Sequence, residues 1–165
     1  MIAALFAVMT LAQEIRPAGS IENLPDPPAY KLAAPPTKDL EDAKARAAGR
    51  ALAGTHRTLA AGVLKKGKWQ KRKDGSWIWR LRLQSTSATG LRVHFNVFDV
   101  GSSTVWLYEP GAKKPNATDG PYTGKREDFW SGVVFGDSAV IEFAPADRKK
   151  AKKLPFAVDR VSHQL

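Results

Sequence analysis

The stretch SWIWRLRLQ at residues 76–84 decides the fold, together with GLRVHFNVFDV at residues 90–100. In both stretches an apolar side chain stands at every second position, and polar or charged residues such as Arg80, Arg92 and Asn96 lie between. Successive side chains of a β-strand point to opposite faces of a sheet, so this period predicts two strands with one buried face. The residues predicted for the core are Trp77, Trp79, Leu81, Leu83, Leu91, Val93, Phe95 and, from a later strand, Ile141.

Shorter runs continue the pattern on both sides of these two strands. The further strand candidates are residues 55–64, 103–109, 128–134, 138–143 and 155–163. Turn-forming triplets such as Lys73–Gly75 and Glu109–Gly111 separate them. Short strands at this spacing favour an antiparallel β-sandwich. We therefore predict an all-β fold, a jelly-roll-like sandwich of about seven or eight strands.

The first third of the chain divides into three segments by composition. Residues 1–12 are apolar apart from Thr10, and this run is too short to span a membrane, so it predicts a signal peptide and leaves no transmembrane segment in the mature chain. Residues 13–37 contain six prolines and predict an extended, proline-rich linker. Acidic residues followed by basic ones predict a short helix within residues 38–54, capped by Thr37 and ending near Gly49 or Gly54. The β-sandwich domain then covers residues 55–165.

The composition narrows the classes of site and partner. The 165 residues include 26 Lys+Arg and 16 Asp+Glu, and the formal net charge of +10 favours anionic partners such as cell-envelope polymers. There is no cysteine, which excludes disulfides and Cys-ligated zinc.

His94 alternates with core residues, so we expect it to face solvent, and no second histidine lies at ligand spacing. We predict no metal site and no cofactor.

Gly136-Asp137-Ser138 is similar to the sequence around the nucleophilic serine of trypsin-like proteases. Ala139 follows where that motif has glycine, and none of the three histidines stands in the sequence setting that accompanies the motif. Glycine and aspartate are also typical turn residues. We predict a β-turn that leads into the strand at 138–143, and no catalytic residue.

Two groups of side chains are candidates for a ligand or partner surface. Aromatic residues on strand faces opposite the aliphatic ones are candidates for a platform on which sugar rings stack. These residues are Trp106, Tyr108, Tyr122 and Trp130. The basic residues Lys71, Arg72 and Lys73 at a hairpin end are candidates for attraction to anionic polymers. An exported protein meets little nucleic acid, so we expect no specific nucleic-acid partner.

Several motifs, taken in order, resemble a known family. They are LEDAKARAAG (40–49), GKWQKRKDGSWIWRLRLQSTSATGLRVHFNVFDV (67–100), STVWLYEPG (103–111), GPYTG (120–124), FWSGVVFGDSAVIEF (129–143) and FAVDRVSH (156–163). They resemble the non-catalytic N-terminal β-domain, or pre-domain, of secreted bacterial trypsin-like serine proteases of the lysyl-endopeptidase kind. The resemblance covers about residues 40–163 and implies export and no catalytic residue. Such proteins run on into a protease, whereas this sequence stops at Leu165. We therefore expect a domain without its own protease domain, either truncated relative to its relatives or a stand-alone copy.

We therefore expect a secreted or periplasmic bacterial protein that is not an enzyme and serves as an accessory or binding domain. The alternative is a carbohydrate- or envelope-binding module that uses exposed aromatics and basic patches. Such a module predicts an exposed aromatic row, whereas a folding or interaction domain predicts a mainly polar surface with an apolar docking patch. An enzyme predicts a cleft where ionisable groups converge. The partner classes are thus an anionic envelope polymer, a polysaccharide or a protein.

Overall fold

The computed structural model describes residues 16–22, 24–49, 53–111 and 118–165, and within them the fold is all-β with a short helix, as predicted. The predicted signal peptide at 1–12 lies outside the described residues. The helices are α1 (Ala18–Ile21) and α2 (Thr37–Ala47), with a 3-10 turn at Val63–Lys66. The strands are β1 (Ala29–Leu32), β2 (Gly54–Thr58), β3 (Lys68–Lys71), β4 (Trp77–Ser85), β5 (Gly90–Tyr108), β6 (Thr118–Arg126), β7 (Phe129–Trp130), β8 (Val134–Phe135), β9 (Ser138–Ala144) and β10 (Phe156–Gln164).

The strands form one curled sheet in the order β1-β4-β9-β5-β10-β2. In addition, β3 pairs with β4, and β6, β7 and β8 pair with β5. The described pairs are antiparallel except for β1 and β4, which run parallel, so the sheet is mixed rather than purely antiparallel. The predicted jelly-roll-like sandwich is not confirmed, because hydrogen bonds join the described strands into a single sheet.

The long strand β5 is what curls the sheet. It unites two strands that the sequence predicts as separate, and Gly101 lies between them with a positive φ of 56°. Its first half pairs with β10, and its second half pairs with β9. A strand that bends in this way gives both halves of the sheet a common concave face.

The apolar core lies on this concave face, which we call the inner face. Of the predicted core residues all are buried except Trp77, which is half-buried under the Nζ of Lys150, 3.9 Å from the ring centroid. The alternation of β5 breaks after Asn96, because the register against β10 shifts there by one residue. As a result Val97 is 55% exposed, while Phe98 is buried.

The proline-rich segment differs from the predicted linker. Residues 29–32 form β1, which pairs with residues 82–85 of β4. Before it, residues 16–28, of which Asn23 lies outside the description, run across the convex outer face of the sheet; we call them the N-terminal strap. Long-range hydrogen bonds hold the strap, and local sequence does not reveal such bonds.

Helix α2 begins at Thr37 and ends at Ala47, close to Gly49, the earlier of the two predicted ends. At Gly54, the later one, β2 already starts. Pro36 occupies the N-cap position and no side chain caps the helix, so the predicted cap by Thr37 is wrong. Ala48 and Gly49 end the helix in the left-handed conformation, with φ values of 49° and 83°. Most of the helix is exposed, and only Ala43 is buried.

Candidate functional site

The Gly136-Asp137-Ser138 triplet forms a turn between β8 and β9. The Ser138 hydroxyl donates to Asp137 Oδ1 at 2.8 Å, and Gln84 Nε2 donates to Asp137 Oδ2 at 3.1 Å. Both hydrogen bonds lower the pKa of Asp137, and the one from Gln84 has the larger effect. The hydrogen bond of the Ser138 hydroxyl goes to Asp137, and within the described chain no histidine bonds to it, so the serine–histidine pair of a trypsin-like protease is not formed there.

The four candidate aromatics do not form an open platform. Trp106 is 5% exposed and Tyr108 is 2% exposed, so their expected exposure is wrong. The reason is that the N-terminal strap covers Tyr108 and β6 covers Trp106: a Cβ on Gly120 would lie 3.3 Å from the Trp106 ring. Tyr122 and Trp130 are half-buried, and their role in ligand binding stays a prediction.

Tyr122 anchors a loop. Its hydroxyl donates to Asp119 Oδ2 at 2.6 Å, and the same oxygen accepts from the Gly132 amide at 2.8 Å. Burial, with the Asp119 hydrogen bond second, raises the pKa of Tyr122 to about 12. The guanidinium of Arg126 lies 5.0 Å from the ring centroid and covers one side of the ring. These contacts give Tyr122 a structural role.

The three basic candidates lie at the β3–β4 hairpin but in different surroundings. Lys71 and Lys73 are exposed. Arg72 is half-buried and forms an ion pair with Glu22 of the strap, at 2.5 Å from Nη2 to Oε1. The amide of Trp77 donates to the carbonyl of Arg148 at 3.0 Å, so the hairpin lies beside the basic loop 148–153. The exposed lysines therefore join a larger basic surface.

A buried polar cluster lies on the outer face, under the strap. Glu142, on β9, is 1% exposed, and its carboxylate accepts hydrogen bonds from the amides of Ala18 (2.7 Å) and Gly19 (2.8 Å). Tyr108 on β5 donates to the same carboxylate at 2.8 Å. Burial raises the pKa of Glu142, and the two amides, the Tyr108 hydroxyl and the positive charge of Arg80 act against that rise. Burial, with the Glu142 charge second, also raises the pKa of Tyr108.

Arg80 connects this cluster to the rest of the strap. It lies on β4 and is 3% exposed. Its Nη2 donates to the carbonyl of Pro25 at 2.6 Å, and its Nε donates to Gln70 Oε1 at 2.6 Å. Gln70 in turn donates to the same Pro25 carbonyl at 2.9 Å. The main chain of the strap is thus bound by side chains from β3 (Gln70), β4 (Arg80) and β9 (Glu142). We call Arg80, Tyr108 and Glu142 the strap receptor.

A second cluster surrounds His94, which is 1% exposed instead of facing solvent as expected. Its Nδ1 lies 2.6 Å from Asp159 Oδ1, and its Nε2 lies 3.0 Å from Asp128 Oδ2. Trp130 packs on the imidazole at 4.7 Å between centroids, and Arg160 Nη2 lies 3.0 Å from Nδ1. Trp130 lies on the short strand β7, opposite His94 in the pairing of β5 with β7, and this cover explains why strand alternation alone gives the wrong exposure.

The charges of this cluster are paired with one another. Burial alone would raise the pKa of Asp159, but the hydrogen bond to His94 and the charges of His94 and Arg160 outweigh it and lower that pKa. His56, whose ring lies 4.6 Å from that of Trp130, has its pKa lowered by burial and then by the charges of Arg160 and Arg92. The cluster pins β7 to β5 and β10, which is a structural role.

The described residues show no group of three or more His, Asp or Glu side chains that could hold a metal ion. Nor does any helix within them have the length and apolarity needed to cross a membrane.

An exposed apolar patch lies where β10 ends. It consists of Val133 (39% exposed), Phe135 (73%) and Leu165 (43%), and we call it the end patch. Phe135 and Gln164 flank Gly90 on its two sides in the sheet, and the Thr89 hydroxyl donates to the Leu165 carbonyl at 3.0 Å. A Cβ on Gly90 would lie 2.8 Å from Val133 Cγ1. These contacts place the segments that carry the three residues at one end of the sheet.

Sequence reasoning missed the strap receptor, although one signal for it exists. Glu142 is the single charged residue in the apolar run SAVIEF of β9, and Arg80 interrupts a similar run in β4. Charged residues are almost never fully buried unless they are paired. Two such residues in neighbouring apolar strands therefore indicate a buried polar cluster.

A comparison with known protein families identifies the family of this β-rich domain. Residues 23–165 match the lysyl endopeptidase N-terminal domain. The chain belongs to this family. The resemblance inferred from the motifs is thereby confirmed, and by its description the family is an N-terminal domain and not the catalytic one. No curated protein matches the chain. The lysyl endopeptidase N-terminal domain match includes all three residues of the strap receptor but begins after Gly19.

Proposed function

We propose that this lysyl endopeptidase N-terminal domain is an exported, non-catalytic accessory domain that binds a trypsin-like protease domain through the end patch. The observation that carries the proposal is the exposure of Phe135, at 73%, beside Val133 and Leu165. Contiguous apolar patches larger than about a few hundred Å² mark interaction sites on soluble proteins, and we propose that these three side chains form part of one.

The position of the end patch supports a protein partner of this class. The family is named as the N-terminal part of an endopeptidase, so the remainder of such a protein follows the domain along the chain. Phe135 and the end of β10 lie on opposite sides of Gly90 in the sheet, and the chain that follows in such a protein would leave the domain there. A protease domain attached or bound there would meet the patch first.

The hydrogen bonds of Ser138, His94 and Glu142 argue against catalysis by the domain itself. Ser138 bonds to Asp137, His94 is held between two aspartates, and Glu142 accepts amides of the strap. Each of these ionisable or nucleophilic groups already has a partner within the domain. A general base or nucleophile would have to be within reach of a substrate.

A binding module for anionic polymers is the second candidate. It is favoured by the exposed Lys71 and Lys73 next to the basic loop 148–153, which together form one positive surface. Stacking of sugars receives less support, since Trp106 and Tyr108 are buried. Binding to an anionic polysaccharide without binding to a protease domain would favour this candidate.

Titration of the chain with a lysyl-endopeptidase protease domain tests the first candidate. We expect saturable binding by calorimetry, weakened at least about tenfold by Phe135→Asp, because central apolar residues carry most of the binding energy of an interface. Val97→Asp is the matched control: Val97 is 55% exposed but lies at the other end of the β5–β10 pairing. No binding by the unmodified chain, or equal loss in both variants, would contradict the proposal.

A further inference from the structure

The N-terminal strap is bound chiefly by its main chain. Glu142 accepts the amides of Ala18 and Gly19, and Arg80 donates to the carbonyl of Pro25. The amide of Arg82 donates to the carbonyl of Pro28 at 2.9 Å. Such contacts are available to any peptide of the right shape, whichever molecule carries it.

The receptor nevertheless selects one residue type at one position. A Cβ on Gly19 would lie closer than 3.0 Å to Tyr108 Oη, Arg80 Nη1 and Glu142 Oε2. These are the three atoms that make up the receptor's own bonds, so the side chains cannot move away without breaking them. Only glycine lets the main chain approach so closely.

The strap leaves much of the outer face uncovered. A cavity of about 540 Å³ lies on one side, lined by Ala18, Trp106 and Pro121 among others. A cavity of about 390 Å³ lies on the other side, lined by Gly19, Pro27 and Pro110 among others. Solvent therefore reaches the strap from two sides. The main apolar core lies on the inner face, so departure of the strap would not open it.

We propose that the strap receptor is a peptide-binding site, which the chain's own strap occupies and which also accepts the strap of a second copy. The ligand class is an extended segment with a small residue followed by glycine, whose two successive amides reach Glu142. β1 stays paired with β4 and tethers the strap while the strap is detached. This proposal is independent of the end patch and of any protease partner.

The test uses the full chain and a fluorescent peptide with the sequence of residues 16–28, followed by anisotropy. In the Gly19→Ala chain the chain's own strap clashes with the receptor, and we expect saturable binding of the peptide. The unmodified chain should bind it at least about tenfold more weakly, because its own strap competes for the site. Ile21→Ala is the matched control: Ile21 is 47% exposed, so its loss should leave the strap in place and the peptide excluded.

Two further variants test the receptor. The double variant Gly19→Ala/Glu142→Gln should bind the peptide at least about tenfold more weakly than Gly19→Ala alone, since the charge-assisted bonds to the two amides are lost. A peptide that carries alanine in place of Gly19 should bind the Gly19→Ala chain at least about tenfold more weakly than the peptide with glycine does. The proposal is overturned if the Gly19→Ala chain binds no better than the unmodified chain, or if both peptides bind equally.

Hydrogen exchange in the unmodified chain decides the matter if Gly19→Ala does not fold. A strap that detaches locally lets the amides of Ala18 and Gly19 exchange at least about a hundredfold faster than core amides such as those of Leu81 and Ile141. Equal protection at all four amides would show that the strap leaves only on global unfolding, and this would also overturn the proposal.

Discussion

Where β4 and β9 pair, both faces of the curled sheet carry buried side chains, but different forces hold them. On the inner face, Leu81 and Ile141 are both 0% exposed and contact other apolar side chains. On the outer face, their strand neighbours Arg80 and Glu142 are 3% and 1% exposed and form directed hydrogen bonds. Adjacent positions of the same two strands therefore obey different rules.

The difference lies in what each face needs to be stable. The apolar contacts of the inner face depend on filled volume and have no preferred direction. The polar contacts of the outer face depend on partners at fixed distances, and those partners belong to a strap that is distant in sequence. Ala18 and Glu142 are separated by 124 positions, and Pro25 and Arg80 by 55. Loss of one partner leaves a buried polar group unsatisfied, at a cost of about 1–3 kcal/mol.

The largest effect is expected from a cavity on the inner face. Phe95 is fully buried, and its ring stacks on that of Phe129 at 5.1 Å and meets that of Phe98 edge-on at 5.4 Å. We expect Phe95→Ala to lower the free energy of unfolding by about 3–5 kcal/mol in urea titrations. Phe135→Ala removes the same atoms from an exposed position and should change it by less than about 0.5 kcal/mol. Similar losses in both variants would contradict the assignment of the inner face as the core.

The sequence predicts the inner face well because its information is local. Alternation in β4 and β5 correctly identifies Leu81, Leu83, Leu91, Val93 and Phe95 as core. It goes wrong at Val97, since the register shift there arises from pairing with β10 and not from the residues of β5 themselves. Periodicity thus predicts a face only as far as the strand remains regular.

The outer face could not be predicted in this way. Six prolines in residues 13–37 indicate an extended chain, and the prediction of an extended segment is compatible with β1, but nothing local shows that the strap docks on Glu142. His94 is buried by Trp130 and Arg160, which are distant in sequence. The family, by contrast, was recognised from motifs spread over the whole sheet, because motif order does not depend on which face a residue occupies.

A smaller and more localised effect is expected on the outer face. In Glu142→Ala the amides of Ala18 and Gly19 and the Tyr108 hydroxyl lose their acceptor. Because the strap can move and let water reach these groups, we expect a loss of only about 1–3 kcal/mol in the free energy of unfolding. Hydrogen exchange should show lost protection in the strap and unchanged protection at Leu91 and Phe95. A loss as large as that of Phe95→Ala, spread over all strands, would show that the two faces form one unit.

The smallest effect on the free energy of unfolding is expected from the pair of His163 and Ser85 at the edge of the inner face. This pair places a titrating group among the apolar side chains of that face and so tests how the two faces differ. His163 is 1% exposed, and its Nδ1 lies 2.8 Å from the Ser85 hydroxyl. Burial, with the charge of Arg57 second, lowers the pKa of His163 below the ordinary value of 6.5. The unfolded chain then binds more protons than the folded one in the interval between the two pKa values, so stability is complete above about pH 6.5 and falls as the pH is lowered through the folded pKa.

We therefore expect the free energy of unfolding to be lower at pH 5.5 than at pH 7.5, with a slope from this residue of at most about 1.4 kcal/mol per pH unit, the value for one proton. His163→Gln keeps a polar group near Ser85 and should reduce that slope, whatever its effect on stability at pH 7.5. His56→Gln is the matched control. Partial burial and neighbouring charges also lower the pKa of His56, but this residue remains exposed, so it should contribute less to the slope. An unchanged slope in His163→Gln would mean that protons bind elsewhere during acid unfolding, and that the inner face tolerates this histidine in either charge state.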